Sequence, residues 1–210
     1  MVSPGAPENP FATHRHRAGA LAYRFAEGIS IAARFEALLA GAGQAQIVGA
    51  EGTGKSTLLA ALAREAERRE KKPLFWLVPH DGMVPGLHPA QAPGRAILFL
   101  DEADRLSWLR LQWLRYTCRR AEIALVAATH RPLGMPTLFE TRVDEALACA
   151  IAAEVLDRSP EAPRLVHAEE AGPLLGSLGG NMRAVLLALY DRYEERYALA
   201  HGRASEPPAA

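Results

Sequence analysis

Short uninterrupted apolar runs alternate along this chain with longer segments in which apolar residues recur every third or fourth position. This is the pattern of strands buried on both faces interleaved with amphipathic helices. Ile31, Phe35 and Leu38, with Ile29 and Leu39 beside them, predict a helix ahead of a first short strand at Gln46, Ile47 and Val48. Leu58, Leu59, Leu62 and Ala66 keep helical spacing after it. A charged stretch, 65–72, then gives way to PLFWLV at 73–78, read as a buried second strand. ILFL at 97–100 and IALVAA at 123–128 predict two further strands, and 137–143 a fifth. Residues 107–120 predict a helix capped by Ser107, with Leu109, Trp113 and Tyr116 on one stripe and Trp108, Leu111 and Leu114 widening it, so that much of its surface is expected to be covered. Right-handed crossovers between such strands give a parallel sheet sandwiched by helices.

Beyond the fifth strand the pattern becomes purely helical. Asp144 is expected to cap an alanine-rich helix over 145–156, a short helical segment occupies 169–178, and Gly179 and Gly180 break it before Asn181 caps a long helix. Met182, Val185, Leu186, Leu189 and Tyr193 mark that helix's buried side. The expected organisation is a disordered tail at 1–10, a core at 11–143, a small helical lid at 144–200 and a second tail at 201–210, the tails being rich in proline and small residues. Residues 79–94 form a long loop with no evident catalytic constellation. His14, Arg15, His16 and Arg17 are read as a solvated strap, with a place over a nucleotide base as the alternative.

Composition narrows the class. With 49% hydrophobic and 23% charged residues over 210 positions, the chain is expected to be globular, and its net charge of zero gives no global argument for nucleic-acid binding. Cys118 and Cys149 lack the spacing of a metal or redox pair and are read as reduced thiols, in keeping with the cytoplasm. No apolar run approaches the roughly 18 residues that span a bilayer, so no membrane is expected.

The chemistry lies in GAEGTGKST at 49–57, which has the full G-x-x-x-x-G-K-[ST] spacing of a phosphate-binding loop, set between a strand and a helix as that motif requires. Gly49, Ala50, Glu51, Gly52, Thr53 and Gly54 would turn backbone N–H groups around anionic oxygens. Lys55 would reach the β- and γ-phosphates, Ser56 would hold Mg²⁺, and Thr57 would touch the α-phosphate. At the end of the 97–100 run stand Asp101 and Glu102. Ligands of open α/β sheets gather at the carboxyl ends of strands, so Asp101 is assigned to the Mg²⁺ shell and Glu102 to activation of water. A polar residue in Thr129, His130 or Arg131, at the end of the next run, would touch the γ-phosphate or the water. Arg183, a cation in the first turn of the last helix, opposes the helix dipole and suggests an anion nearby. Arg110, Arg115, Arg119 and Arg120 make either a solvated helix face or a basic one for DNA or a protein.

Taken together, GAEGTGKST, ILFLDEAD, THR and GGNMR resemble the ASCE division of P-loop ATPases, and within it the AAA+ group, over approximately residues 40–200. The resemblance implies an α/β three-layer P-loop NTPase fold with a five-stranded parallel sheet and a reduced lid, similar to that of origin-recognition type ATPases. It implies Thr129 in the sensor-1 place with His130 beside it, Arg183 as a sensor-2 arginine, and ATP rather than GTP. Arg131 and Arg142 are both candidates for an arginine finger by position, with homo-oligomers left open and no DNA-binding winged helix following. The leading functional expectation is Mg²⁺-dependent ATP hydrolysis coupled to a protein or nucleic-acid partner. A nucleotide-dependent switch or loader with little turnover is the alternative. A small-molecule kinase is disfavoured, because Glu102 directly after Asp101 suits activation of water better than transfer to a hydroxyl.

Overall fold

The computed structural model describes residues 8–12, 21–24, 30–40, 43–82 and 96–201. The strap at 14–17, most of the loop at 79–94, Ile29, and the tails at 1–7 and 202–210 lie outside the described residues. The chain divides into two compact units, Leu21–Arg142 and Val143–Ala210, the latter joined by Met1–Ala20.

The first unit runs α1 (Ile31–Ala40), β1 (Gln44–Gly49), α2 (Lys55–Arg68), β2 (Lys72–Leu77), β3 (Ala96–Asp101), α3 (Trp108–Arg120), β4 (Ala124–Thr129) and β5 (Thr137–Thr141). All five strands are parallel, in the order β2-β3-β4-β1-β5. The period of two along each strand sorts the core into two layers. Ile47, Ile97, Phe99, Val126 and Ala128 face α1 and α2 with Phe35, Leu58, Leu59 and Leu62, whereas Leu98, Leu100, Leu125 and Ala127 face α3 with Leu111, Leu114 and Cys118. β3 and β4 are buried on both faces, as their unbroken apolar runs require.

Two expectations need correction here. β2 is an edge strand, so Phe75 and Leu77 remain exposed while Leu74 and Trp76 pack toward the α3 layer. On α3 the stripe turned to the sheet is Leu111, Leu114 and Cys118; Trp108, Leu109, Trp113 and Tyr116 are exposed. The polar residues buried in β1 are paired. Gln44 exchanges hydrogen bonds with Arg115, donating to its carbonyl and accepting from its Nε, and Gln46 donates to Thr137 and accepts from the Leu133 N–H. Register slips by one residue between Gln46 and Ile47 against β5. Leu138, the extra residue, offers its carbonyl to Arg34 Nη1 at 2.9 Å, so the bulge ties α1 to the sheet edge.

The second unit comprises α4 (Glu145–Asp157), a 3₁₀ turn (Ala168–Glu170), α5 (Ala171–Ser177) and α6 (Met182–Ala200). Asp144 caps α4 by accepting from Leu147 N–H, and Asn181 caps α6 by accepting from Arg183 and Ala184 N–H. Glu170 holds the unit together by accepting from Arg196 at 2.7 and 2.9 Å and from Arg192 at 3.0 Å. The tail expected at 1–10 and the core expected from residue 11 are revised by residues 8–12. Asn9 donates to the Tyr190 carbonyl and to Glu194, and Phe11 is 1% exposed, within this unit. Two of the four buried residues of α4, Ala148 and Ala152, are alanine, so this small unit gains apolar bulk from Phe11.

Candidate functional site

The phosphate loop leaves the carboxyl end of β1 at Gly49 and enters α2 at Lys55. At Gly49 the chain passes β5 so closely that a Cβ would lie 2.0 Å from Thr141 Oγ1 and 2.8 Å from the Thr141 carbonyl oxygen. Thr53, buried, donates to the Ala50 carbonyl at 2.8 Å or shares a hydrogen with Thr141 Oγ1 at 2.6 Å, fastening the loop to β5. Gly54 takes the left-handed φ of 91° that precedes α2. No side chain caps this helix and no acid stands in its first turn, so its N–H groups and positive dipole end are available to an anion. Gly52 turns the loop with a φ of 72°, Ala50 and Glu51 are exposed at its crest, and Ser56 and Thr57 lie half-buried in the first turn of α2.

Lys55 is buried, its Nζ donating to the carbonyls of Gly49 at 2.9 Å and Ala50 at 2.8 Å. Burial draws its pKa below the usual lysine value, against the opposing pull of the carboxylates of Glu102, Asp101, Asp104 and Glu51. β1 and β3 flank β4 in the parallel sheet, so the loop after β1 and the acids that end β3 emerge at the same edge. Asp101, buried, accepts from the Glu102 N–H at 3.0 Å. Glu102 itself adopts the left-handed region, φ 57° and ψ 39°. Glu70 and Glu122 also have positive φ, but each follows the last turn of a helix, where that conformation is the ordinary way to stop. Glu102 lies instead between a strand and a 3₁₀ turn, and a non-glycine residue there carries strain of about 1–3 kcal/mol.

Two groups flank the Glu102 carboxylate: Arg105 Nη2 at 3.5 Å, held in turn by Arg105 Nη1 donating to the Val78 carbonyl, and the His130 ring at 3.9 Å. His130 Nδ1 lies 3.1 Å from Asp104. Burial pushes the Asp104 carboxyl up, yet hydrogen bonds from the His130 ring and from backbone N–H groups outweigh it and hold the acid below the usual carboxylate value. Thr129 is fully buried, its hydroxyl donating to the Arg131 carbonyl at 2.8 Å and accepting from the Arg131 N–H. Of the two residues at the end of β4, His130 is therefore the one brought to the acids. Arg131 is exposed, and Arg142, also exposed, pairs with Glu140. Arg183 is exposed in the first turn of α6, in the second unit.

Asp104 closes the DEAD tetrapeptide, and only the fold brings it to His130. Two contributors carry no motif. Thr141 joins the site only through the fold. The second is Tyr23, whose ring leans on the loop 3.3 Å from where a Gly54 Cβ would be and meets Phe139 edge to face. Burial pushes its hydroxyl up to about 12, against a smaller lowering by Arg34, which stacks its guanidinium on Phe139.

No family model and no curated protein matches the sequence. Among solved structures, the chain is similar to a DNA replication initiation factor at a TM-score of 0.53 and 17% identity, covering 83% of this chain and 66% of that one. It is likewise similar to AMPPCP-bound DnaA from Aquifex aeolicus, at a TM-score of 0.54 and 18% identity over 86% and 68% of the two chains. A Walker-type ATPase of Pyrococcus abyssi, paby2304, follows at 0.51 and 12% identity over 82% and 71%. The chain thus spans about two thirds of the length of the initiators it matches. A parallel five-stranded sheet in this strand order, a phosphate loop after β1 and acids at the end of β3 agree with those likenesses: the chain has the P-loop NTPase fold.

Proposed function

We propose that this chain binds ATP with Mg²⁺, hydrolyses it, and couples the nucleotide state to a protein or nucleic-acid partner in the cytoplasm. The observation that carries the reading is the placement, at the carboxyl edge of one parallel sheet, of a phosphate loop that enters an uncapped helix N-terminus and of the acids that end β3. Of the structures it is similar to, two are replication initiators holding the ATP analogue AMPPCP, which supports a triphosphate as the anion. No described helix is long and apolar enough to cross a membrane.

The loop N–H groups and the α2 dipole would receive the phosphates, and the Lys55 ammonium would leave the Gly49 and Ala50 carbonyls for the β- and γ-phosphate oxygens. Ser56 and Asp101 offer a hydroxyl and a carboxylate, the hard oxygen donors that suit Mg²⁺, which when bound would neutralise phosphate charge. Glu102 would take the proton of the attacking water, its strained backbone fixing the direction of its carboxylate. His130, anchored on Asp104, would orient that carboxylate or contact the γ-phosphate, with Thr129 holding the turn. Arg183 would report the phosphate state as a sensor of the lid, and Arg131 or Arg142 would serve a neighbouring copy if one assembles. Stabilising transition-state charge is the larger part of such catalysis.

The test is Glu102→Gln, which keeps side-chain shape and backbone. Phosphate release from ATP without added acceptor should fall by about 100-fold or more, with affinity for a fluorescent ATP analogue unchanged. Unaltered release would remove Glu102 from its role, and release by the parent chain only with an added acceptor would make it a kinase.

A further inference from the structure

The most conspicuous surface feature is on α3. Trp108, Leu109, Trp113 and Tyr116 are 71%, 72%, 56% and 61% exposed. A lone exposed apolar residue is ordinary; four large ones on one helix are not. Leu109, Trp113, Tyr116 and Arg120 follow one another at intervals of four, three and four, the spacing of a seam that meets another helix. This stripe lies opposite the Leu111, Leu114 and Cys118 stripe that packs on the sheet.

We propose that this face docks an acidic amphipathic helix of another protein. The charge pattern selects the partner. α3 contains four arginines, Arg110, Arg115, Arg119 and Arg120, and no acidic residue. Arg110 and Arg115 are engaged by the Gly82 carbonyl and by Gln44, whereas the exposed Arg119 and Arg120 have no ion-pair partner among the described residues. Their place in the last turn suits the helix dipole, which accounts for a cation there but not for the exposed Trp113 and Tyr116 on the same helix. A second copy of this face would bring the same unneutralised arginines to the contact, whereas a helix flanked by glutamates would neutralise them. Aromatics with arginine also suit single-stranded nucleic acid, but Leu109 within a straight helical seam favours knobs from another helix over stacked bases.

The size is adequate. At roughly 150–250 Å² for a large side chain, these exposures leave about 400–600 Å² of apolar surface, about half to three quarters of the ~800 Å² that one partner contributes to a standard interface, and the arginine rim supplies more. Tryptophan, tyrosine and arginine are also the residues in which binding energy concentrates.

The experiment uses the full chain with three fluorescent probes: a helical peptide of about four turns with leucines on one face and flanking glutamates, its counterpart with lysines for the glutamates, and an oligothymidylate of about a dozen nucleotides. The acidic peptide should bind about tenfold or more tighter than the lysine peptide and weaken with salt. Arg119→Glu with Arg120→Glu should reverse that preference. Trp113→Ala and, independently, Tyr116→Ala should each weaken binding by about tenfold without lowering Tm, because these side chains lie outside the core. Equal binding of the two peptides, or none, overturns the proposal. So does tight oligothymidylate binding lost in the same variants, or self-association in sedimentation that Trp113→Ala abolishes.

Discussion

Replacing Gly49 with alanine adds one methyl group at the point where the phosphate loop meets the sheet edge. That methyl would stand 2.0 Å from Thr141 Oγ1, 2.7 Å from Thr53 Oγ1 and 2.8 Å from the Thr141 carbonyl oxygen. The two hydroxyls can rotate away only by giving up the buried 2.6 Å hydrogen bond between them, worth about 1–3 kcal/mol if its atoms are left unsatisfied. The carbonyl belongs to the backbone, so relieving that contact requires β1 and β5 to separate, at the ~1–3 kcal/mol typical of overpacking. Together these give about 2–6 kcal/mol, or a drop in Tm of roughly 4–24 °C at about 2–4 °C per kcal/mol. Thermal unfolding followed by circular dichroism measures this, and titration with a fluorescent ATP analogue should show weakened binding in parallel. Thr141→Ala added to Gly49→Ala should recover part of the loss, since the contact with Thr141 Oγ1 goes while those with Thr53 Oγ1 and the Thr141 carbonyl stay. An unchanged Tm in Gly49→Ala would refute the close approach of loop and strand.

Three further outcomes are expected. Glu170 is held down to about 2, first by hydrogen bonds from Arg196 and then with help from the His167 N–H and Arg192, against the upward push of burial. Because its folded value lies below the ordinary 4.5, the stability it lends is complete above pH about 5 and is lost as pH falls through about 2. With both arginines 42% exposed to screening water, that stability is about 1–2 kcal/mol, so Glu170→Gln should lower Tm at pH 7 and leave it nearly unchanged once the pH is below about 2. Asp104→Ala unpins His130 and should reduce phosphate release by about tenfold with nucleotide affinity intact; equal release would make the pair purely structural. Burial pushes the Cys118 thiol up to about 11, so a disulfide reagent should reach Cys149 in the native protein and Cys118 only in denaturant; rapid native labelling of both would show α3 to be loosely packed.

What could be read in the sequence follows from the range of the interactions. β3 and β4 were legible because a strand buried on both faces has nowhere to place a polar residue, and the phosphate loop because its geometry is local. The α3 face was not. Helical period identifies stripes but not which one turns inward, and here the smaller Leu111, Leu114 and Cys118 meet the sheet while the bulkier stripe does not. Asn9 and Tyr190, 181 positions apart, and His130 and Asp104, 26 apart, meet only through the tertiary fold, so no local pattern announces them. Tyr23 likewise stands in a stretch without periodicity, and its place against Gly54 emerges only with coordinates. The resemblance named Thr129 with His130 beside it at the end of β4; the buried threonine bonds within its own turn and the neighbouring histidine lies against Asp104, a division that the strand pattern alone does not announce.

The left-handed backbone of Glu102 bears on how this chain can change over time. Glycine adopts that conformation without penalty, so Glu102→Gly would relieve about 1 kcal/mol of strain while removing the carboxylate. Since glutamate and glycine codons differ by a single base, an easily reached substitution here eases the backbone and silences the proposed reaction together. Under selection for stability alone, glutamate at this position would drift away; a demand for hydrolysis is what would keep it.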